Sequence, residues 1–239
     1  MSKMCAIYKR DLSSYFSSPT AYILIGIYLL TASYFFCISV FGSQTATMEY
    51  AFMYMFMIFL VISPILTMRL IAEEKKLGTD QLLLTSPLRI WDIVLGKFFA
   101  ALTLYAVMMA VTLIFPAILY YYSKIDLGPV ITGYIGLFLM GGAFISVGLF
   151  ASSLTENQII SGIISFVILL LSVSLEAIAT FAQGTVQALL NYLSLMRRFY
   201  ENFQVGILDA GDVFYYLSFM FIFLLLTVSV IQRYRWTRG

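Results

Sequence analysis

Two stretches of the chain carry the side chains most able to do chemistry. Between residues 69 and 97 stand five basic groups, Arg69, Lys75, Lys76, Arg89 and Lys97, and four acidic ones, Glu73, Glu74, Asp80 and Asp92. Hydrocarbon does not tolerate that density of charge, so the segment must lie in water or at a bilayer surface. The second stretch holds Glu176, Arg197 and Arg198. Glu176 is an acidic side chain set well inside an apolar run, where a carboxylate costs on the order of a few kcal/mol unless it faces water, a partner or another helix. It either lines a transport path and its outer gate with Arg197 and Arg198, or snorkels to the interface, or makes a packing bond.

Enzyme chemistry is poorly served by this residue inventory. The chain has no histidine, which removes the usual metal ligand and general base, and no Gly-x-Ser-x-Gly elbow. No pair of intramembrane aspartates suggests a protease of the bilayer. Gly96-Lys97 is not a phosphate loop, because Trp91 stands where the first glycine belongs and Phe98 follows the lysine. The chain is expected to bind no nucleotide, cofactor or metal of its own. Cys5 and Cys37 read as free thiols, Cys5 being placed where palmitoylation is an open alternative.

Composition sets the environment of these groups. Of 239 residues, 62% are hydrophobic and 11% charged, against the roughly 25% charge that an ordinary soluble domain uses to cover its surface. The chain reads as a polytopic membrane protein. A net charge of +2, with positives scattered between apolar runs, argues against nucleic acid as a partner.

The elements that position the charges follow from the apolar runs. Residues 3–16 put Met4, Ile7, Tyr8, Leu12 and Tyr15 on one helical face with Lys9 and Ser13 opposite, which suits a helix lying in the headgroup plane. Pro19 ends it. Spans are expected at about 20–40, 49–68, 98–121, 129–152, 159–181 and 213–231, each long enough at about 1.5 Å per residue to cross a core of roughly 30 Å. The first reads as a retained signal anchor. Pro64 should kink the second span, and Pro116 should kink or end the third, which closes on the Tyr120-Tyr121-Tyr122 girdle. In the fourth, Gly142 with Ser146 and Gly148 with Ser152 stand four apart and admit a close neighbour. Asp212 should cap the sixth. The connection 182–211 places Val186, Leu189, Leu190, Leu193 and Met196 at helical spacing, as in a helix resting on a leaflet or a plain surface helix.

Within 69–97, Gly78 is expected to break a helix and Thr79 with Asp80 to cap another, whose short apolar turn from Gln81 through Leu82 and Leu83 to Leu84 is stopped by Pro87. Ser86 then caps a helix with Pro87 at its first position, running without interruption through Trp91 into the third span as a stiff connector. The segment is either a charged loop that only fixes topology or a docking element for a cytoplasmic partner. Sorting lysines and arginines by side gives eleven with the termini and this segment against three, Lys124, Arg197 and Arg198, on the other, which puts both termini and the segment in the cytoplasm.

The order Ala72-Glu73-Glu74-Lys75-Lys76, Gly78-Thr79-Asp80-Gln81, Leu82-Leu83-Leu84, Ser86-Pro87, Trp91-Asp92 and Gly96-Lys97 resembles the cytoplasmic loop of type 2 ABC transporter permeases. Tyr192, Ser194, Arg198-Phe199, Asn202-Phe203, Gly206, Asp209, Asp212-Val213 and Tyr215-Tyr216 resemble the gliding-motility and multicopper-enzyme-maturation subgroup, many members of which place a histidine where this chain has Arg198. The likeness runs over nearly the whole chain. It implies an all-α fold of six transmembrane helices, with an N-terminal interfacial helix, a coupling helix between spans 2 and 3, and short external helices between spans 5 and 6, all in one membrane domain, 1–239. It also implies an exporter in the cell inner (plasma) membrane, working as two copies or with a related permease. Separate subunits holding ATP and Mg would drive it by gripping Glu73, Glu74, Lys75, Lys76, Gly78, Thr79, Asp80, Gln81, Leu82, Leu83 and Pro87. The alternatives are a membrane anchor that transmits force from an ATPase to an external machine without moving solute, and a channel or carrier that works without ATP.

Overall fold

The computed structural model describes residues 3–43, 47–79, 89–123 and 125–238. The fold is all-helical, without strands among the described residues, and six of its helical runs are long and apolar enough to cross a membrane. In chain order the elements are α1 (Lys3–Ser17), α2 (Pro19–Ser43), α3 (Glu49–Thr67), α4 (Ala72–Leu77), α5 (Ile90–Thr112), α6 (Ile114–Tyr122), α7 (Leu127–Leu154) and α8 (Gln158–Ala179). Then come α9 (Gly184–Leu193), α10 (Leu195–Arg198), a π-helical turn (Phe199–Phe203) and α11 (Ala210–Arg238). The spans are α2, α3, α5 with α6, α7, α8 and α11.

Span α7 is the axis of the bundle and the most buried, while α2 and α8 are the least. Its small residues account for this. A Cβ added at Gly141 would stand 2.0 Å from the ring of Tyr105 on α5, and one at Gly148 would stand 2.0 Å from Thr67 Oγ1 on α3. With no side chain there, neighbouring helices close to van der Waals contact, which is where association energy comes from when lipid is as apolar as leucine. Tyr105 adds a hydrogen bond from its hydroxyl to the Leu137 carbonyl at 2.9 Å. Phe59 stacks on Tyr105 and Phe144, so α3, α5 and α7 meet in one aromatic core.

The helix of the third span begins at Ile90, three residues after the start expected at Pro87, and breaks at Leu113. Pro116 is the cause of the break: it has no N–H for the carbonyl of Thr112, and the Tyr134 hydroxyl from α7 donates to that carbonyl instead at 2.9 Å. Arg89 has extended backbone (φ −78°, ψ 140°), so the helix of the span starts at Ile90 and is not continued back through Arg89, where an uninterrupted helix through Trp91 was expected. The expected coupling turn and its cap, from Asp80 through Gln81, Leu82 and Leu83 to Ser86, Pro87 and Leu88, lie outside the described residues.

Helix α1 does not leave its apolar face to lipid. Ile7 lies against Gly96 of α5, where a Cβ would come within 2.9 Å of Ile7 Cγ2, and the Tyr8 hydroxyl is hydrogen-bonded to Thr103 Oγ1 at 3.1 Å. The buried stripe also includes Asp11.

Candidate functional site

The charged segment 69–79 folds as a turn followed by the six-residue α4, too short to stand alone. Its start is held by α7: Ser152 Oγ accepts the N–H groups of Ile71 (3.1 Å) and Ala72 (3.0 Å) and donates to the Met68 carbonyl (3.1 Å). A hydroxyl from another helix thus does the work of an N-cap. Its end is Gly78 in the left-handed region (φ 69°), with the N–H groups of Gly78 and Thr79 returning to the carbonyls of Lys75 and Glu74. The helix break expected at Gly78 is therefore present.

Consecutive residues of α4 reach to different sides. Glu74 accepts from Arg10 Nη2 at 2.6 Å and pairs with Lys97 Nζ at 2.9 Å, while Asp11 holds the same two cations at 2.7 and 3.2 Å. The Lys97 side chain is only 3% exposed. An ammonium that deeply buried persists only when paired, and two carboxylates here satisfy it in a cluster of zero net charge. Burial alone would lower the Arg10 guanidinium, but the charges and hydrogen bonds of Asp11 and Glu74 hold it above its usual value. Lys75 turns the other way: its Nζ donates to the Ser153 carbonyl, an orphan at the end of α7, and lies 4.4 Å above the ring of Tyr234 on α11. The Tyr234 hydroxyl in turn meets Glu156 Oε1, in the α7–α8 turn, at 2.8 Å. One short helix is thereby fastened to α1 and α5 through Glu74, and to α7, the following turn and α11 through Lys75.

The remaining expected docking residues are distributed unevenly. Lys76, Gly78 and Thr79 are exposed, as is Leu77. Glu73 is half-buried on the wall of a cavity of about 380 Å³ between α1 and the 69–77 segment. Asp80, Gln81, Leu82, Leu83 and Pro87 are outside the described residues. Glu74 and Lys75 make internal bonds, so they position α4 rather than present a free surface. Sequence reasoning missed Asp11 and the buried role of Lys97. The signal was there in Asp11, an acid at the i+4 position from Ile7 on an otherwise apolar stripe.

At the opposite end of the bundle, Arg197 and Arg198 part company. Arg198 pairs with Asp212 at 2.6 Å, and its guanidinium lies 4.6 Å from the Tyr192 ring and 4.2 Å from the Tyr215 ring. Asn202 Nδ2 donates to the other carboxylate oxygen of Asp212, which is almost fully buried. Asp212 is therefore spent on this cluster, and the cap expected of it falls to Asp209, whose Oδ1 accepts from Gly211 N at 3.1 Å. Arg197 pairs at the surface with Glu201 (2.8 Å), and that hydrogen bond, more than the neighbouring charges of Glu201 and Glu176, raises it. Burial first and the Glu176 charge second push Tyr200 up to about 12. Glu176 thus lies by the short helices that connect α8 to α11, within electrostatic reach of Arg197 and Tyr200. Helix α9 buries none of its residues in the protein and ends at Leu193, and Met196 belongs to the next element because Ser194 is extended.

Comparison with known proteins adds one positive finding. A search of curated proteins returned no match. The family described as ABC-2 family transporter protein matches residues 38–231, which takes in the last turn of the first span, the charged segment and nearly all that follows. A match over so much of the chain, on a fold with six membrane-crossing helices, shows that this multi-pass protein belongs to the ABC-2 transporter family and is a permease subunit of an ABC transporter.

Proposed function

We propose that the chain forms one half of an export path, drawn shut and open by separate ATP-hydrolysing subunits that seat on the face carrying α4. Both termini and the 69–97 segment are then cytoplasmic, ATP and Mg belong to the partner subunit, and the second half is another copy or a related permease. The observation that carries this reading is the double attachment of α4. A push received at Lys76, Leu77, Thr79 and the residues beyond reaches α1 and α5 through Glu74 and Lys97. It reaches α7 and α11 through Lys75, Ser152 and Ser153. The extended backbone at Arg89 means that the ion pair, rather than a continuous helix, is the stiff link to the third span. Motion of α11 would carry the external helices with it through Asp212 and Arg198. Glu176 and Arg197 would then face the outer end of the path. What supports the subgroup associated with gliding motility is that Tyr192, Asn202, Asp212 and Tyr215, which carry that likeness, pack in one cluster with Arg198, the position at which the chain departs from many members.

The test is photo-crosslinking from single positions in the assembled complex. Probes at Lys76, Leu77 and Thr79 should capture the ATP-hydrolysing subunit, while a probe at Tyr122, at the far end of the third span, should not. Capture from Tyr122 and none from Lys76, Leu77 or Thr79 would overturn the docking assignment.

A further inference from the structure

The cavity between α1 and the 69–77 segment adjoins a second, smaller one of about 150 Å³, and the two share Tyr15, Thr20 and Arg69 in their walls. The first is polar. The second is an apolar slot between α2 and α3, lined by Ile23, Leu24, Ile65 and Leu66, with Ile23 and Ile65 half exposed at its rim. The polar chamber sits where α1 turns into α2 and where α3 ends, at headgroup depth, while the slot runs from it along two spans into hydrocarbon. Tyr15 divides them and is fixed in place, its hydroxyl donating at 3.1 Å to the Leu66 carbonyl in the last turn of α3.

The charges of the chamber are not all accounted for. Arg10, Asp11, Glu74 and Lys97 neutralise one another. Arg69, which is exposed, and Glu73, which is half-buried, line the same chamber, yet among the described residues neither enters an ion pair, with the other or with any third group. A cation and an anion left over in one polar chamber, continuous with an apolar slot, match a molecule with a phosphate, an ammonium and an acyl chain. We propose that this is a binding site for a membrane phospholipid with a zwitterionic, primary-ammonium headgroup. Its phosphate lies on Arg69 with Ser14 as a further donor, its ammonium on Glu73, and one acyl chain in the slot between α2 and α3. A primary ammonium suits Glu73 because it donates hydrogen bonds, which a quaternary ammonium cannot do, and an anionic headgroup would leave Glu73 facing like charge.

The test is native mass spectrometry of the delipidated protein in detergent, offered phosphatidylethanolamine, phosphatidylcholine and phosphatidylglycerol with identical acyl chains, and phosphoethanolamine alone. The expected result is retention of one phosphatidylethanolamine at least five-fold above the other two lipids, and no retention of phosphoethanolamine. Arg69→Gln should lower retention of all phospholipids. Glu73→Gln should abolish the preference for phosphatidylethanolamine over phosphatidylglycerol while binding persists, an outcome that misfolding would not produce. Leu24→Trp, which fills the slot, should lower retention whatever the headgroup. Equal retention of the three lipids by the unaltered protein, an unchanged preference in Glu73→Gln, or equal binding of free phosphoethanolamine would each overturn the proposal.

Discussion

Replacing Lys97 by Met tests whether the cluster around α4 is a structural joint or a surface decoration. The ammonium is 3% exposed and stands between Asp11 at 3.2 Å and Glu74 at 2.9 Å, whose side chains are 11% and 20% exposed. Removing one member of a buried pair costs about 3–5 kcal/mol, chiefly because a charge is left unpaired. Here Arg10 still touches both carboxylates, at 2.7 and 2.6 Å, but it is 48% exposed and its pairs are screened by solvent. The low end, about 3 kcal/mol, is therefore expected, which for a chain of this size corresponds to a fall of roughly 6–12 °C in the thermal midpoint. Arg10→Gln, by contrast, should cost no more than about 1 kcal/mol, as surface pairs do. The double variant Asp11→Leu with Lys97→Met leaves Glu74 and Arg10 as a neutral pair and should recover most of the loss, since apolar replacement of a buried pair is often neutral or better. The assay is thermal unfolding of the four proteins in one detergent, followed by intrinsic fluorescence. A Lys97→Met midpoint within error of the unaltered protein, or a double variant worse than the single one, would refute the reasoning.

Two further outcomes follow from the packing. Gly141→Ala forces a Cβ into the Tyr105 ring and should destabilise by about 1–3 kcal/mol through overpacking, more than the roughly 1 kcal/mol for Tyr105→Phe, which loses only the hydrogen bond to Leu137; thermal midpoints of the two variants rank them. Arg198→Ala strands the buried carboxylate of Asp212 and should cost about 3 kcal/mol or more, whereas Arg198→Lys keeps the charge, loses the fork and the tyrosine stacking, and should fall between; limited proteolysis within 184–206 reports the loosening.

The spans were legible because each is a run of some twenty apolar residues, and bilayer thickness leaves such runs few alternatives. Their edges were less so. Lys97 read as a group that needs water, but Asp11 and Glu74 supply what water would have. Neither partner is near Lys97 in sequence, so no local pattern announces the pairing. The same holds for Asp212, whose position suited a helix cap until Arg198 and Asn202 claimed its carboxylate, leaving the cap to Asp209. Among the residues expected to dock a partner, residue type did not reveal which way each side chain faces. Glu74 and Lys75 look as available as Lys76 in a list of charges, and only the path of α1, α7 and α11 past α4 turns the first two inward. The two arginines at 197 and 198 parted for a like reason, one helical step separating a surface pair from a buried, stacked one.

The transport mechanism proposed for this permease requires the face bearing α4 to be the one that meets the ATP-hydrolysing subunit. The direct measurement is labelling by a membrane-impermeant maleimide of Thr79→Cys in a chain with Cys5→Ser and Cys37→Ser, with Tyr122→Cys as the far-side reference. The account predicts that Thr79→Cys is silent in intact cells, reacts in inside-out vesicles and is protected there by the added ATPase, while Tyr122→Cys reacts in intact cells. Labelling of Thr79→Cys from outside the cell would contradict it.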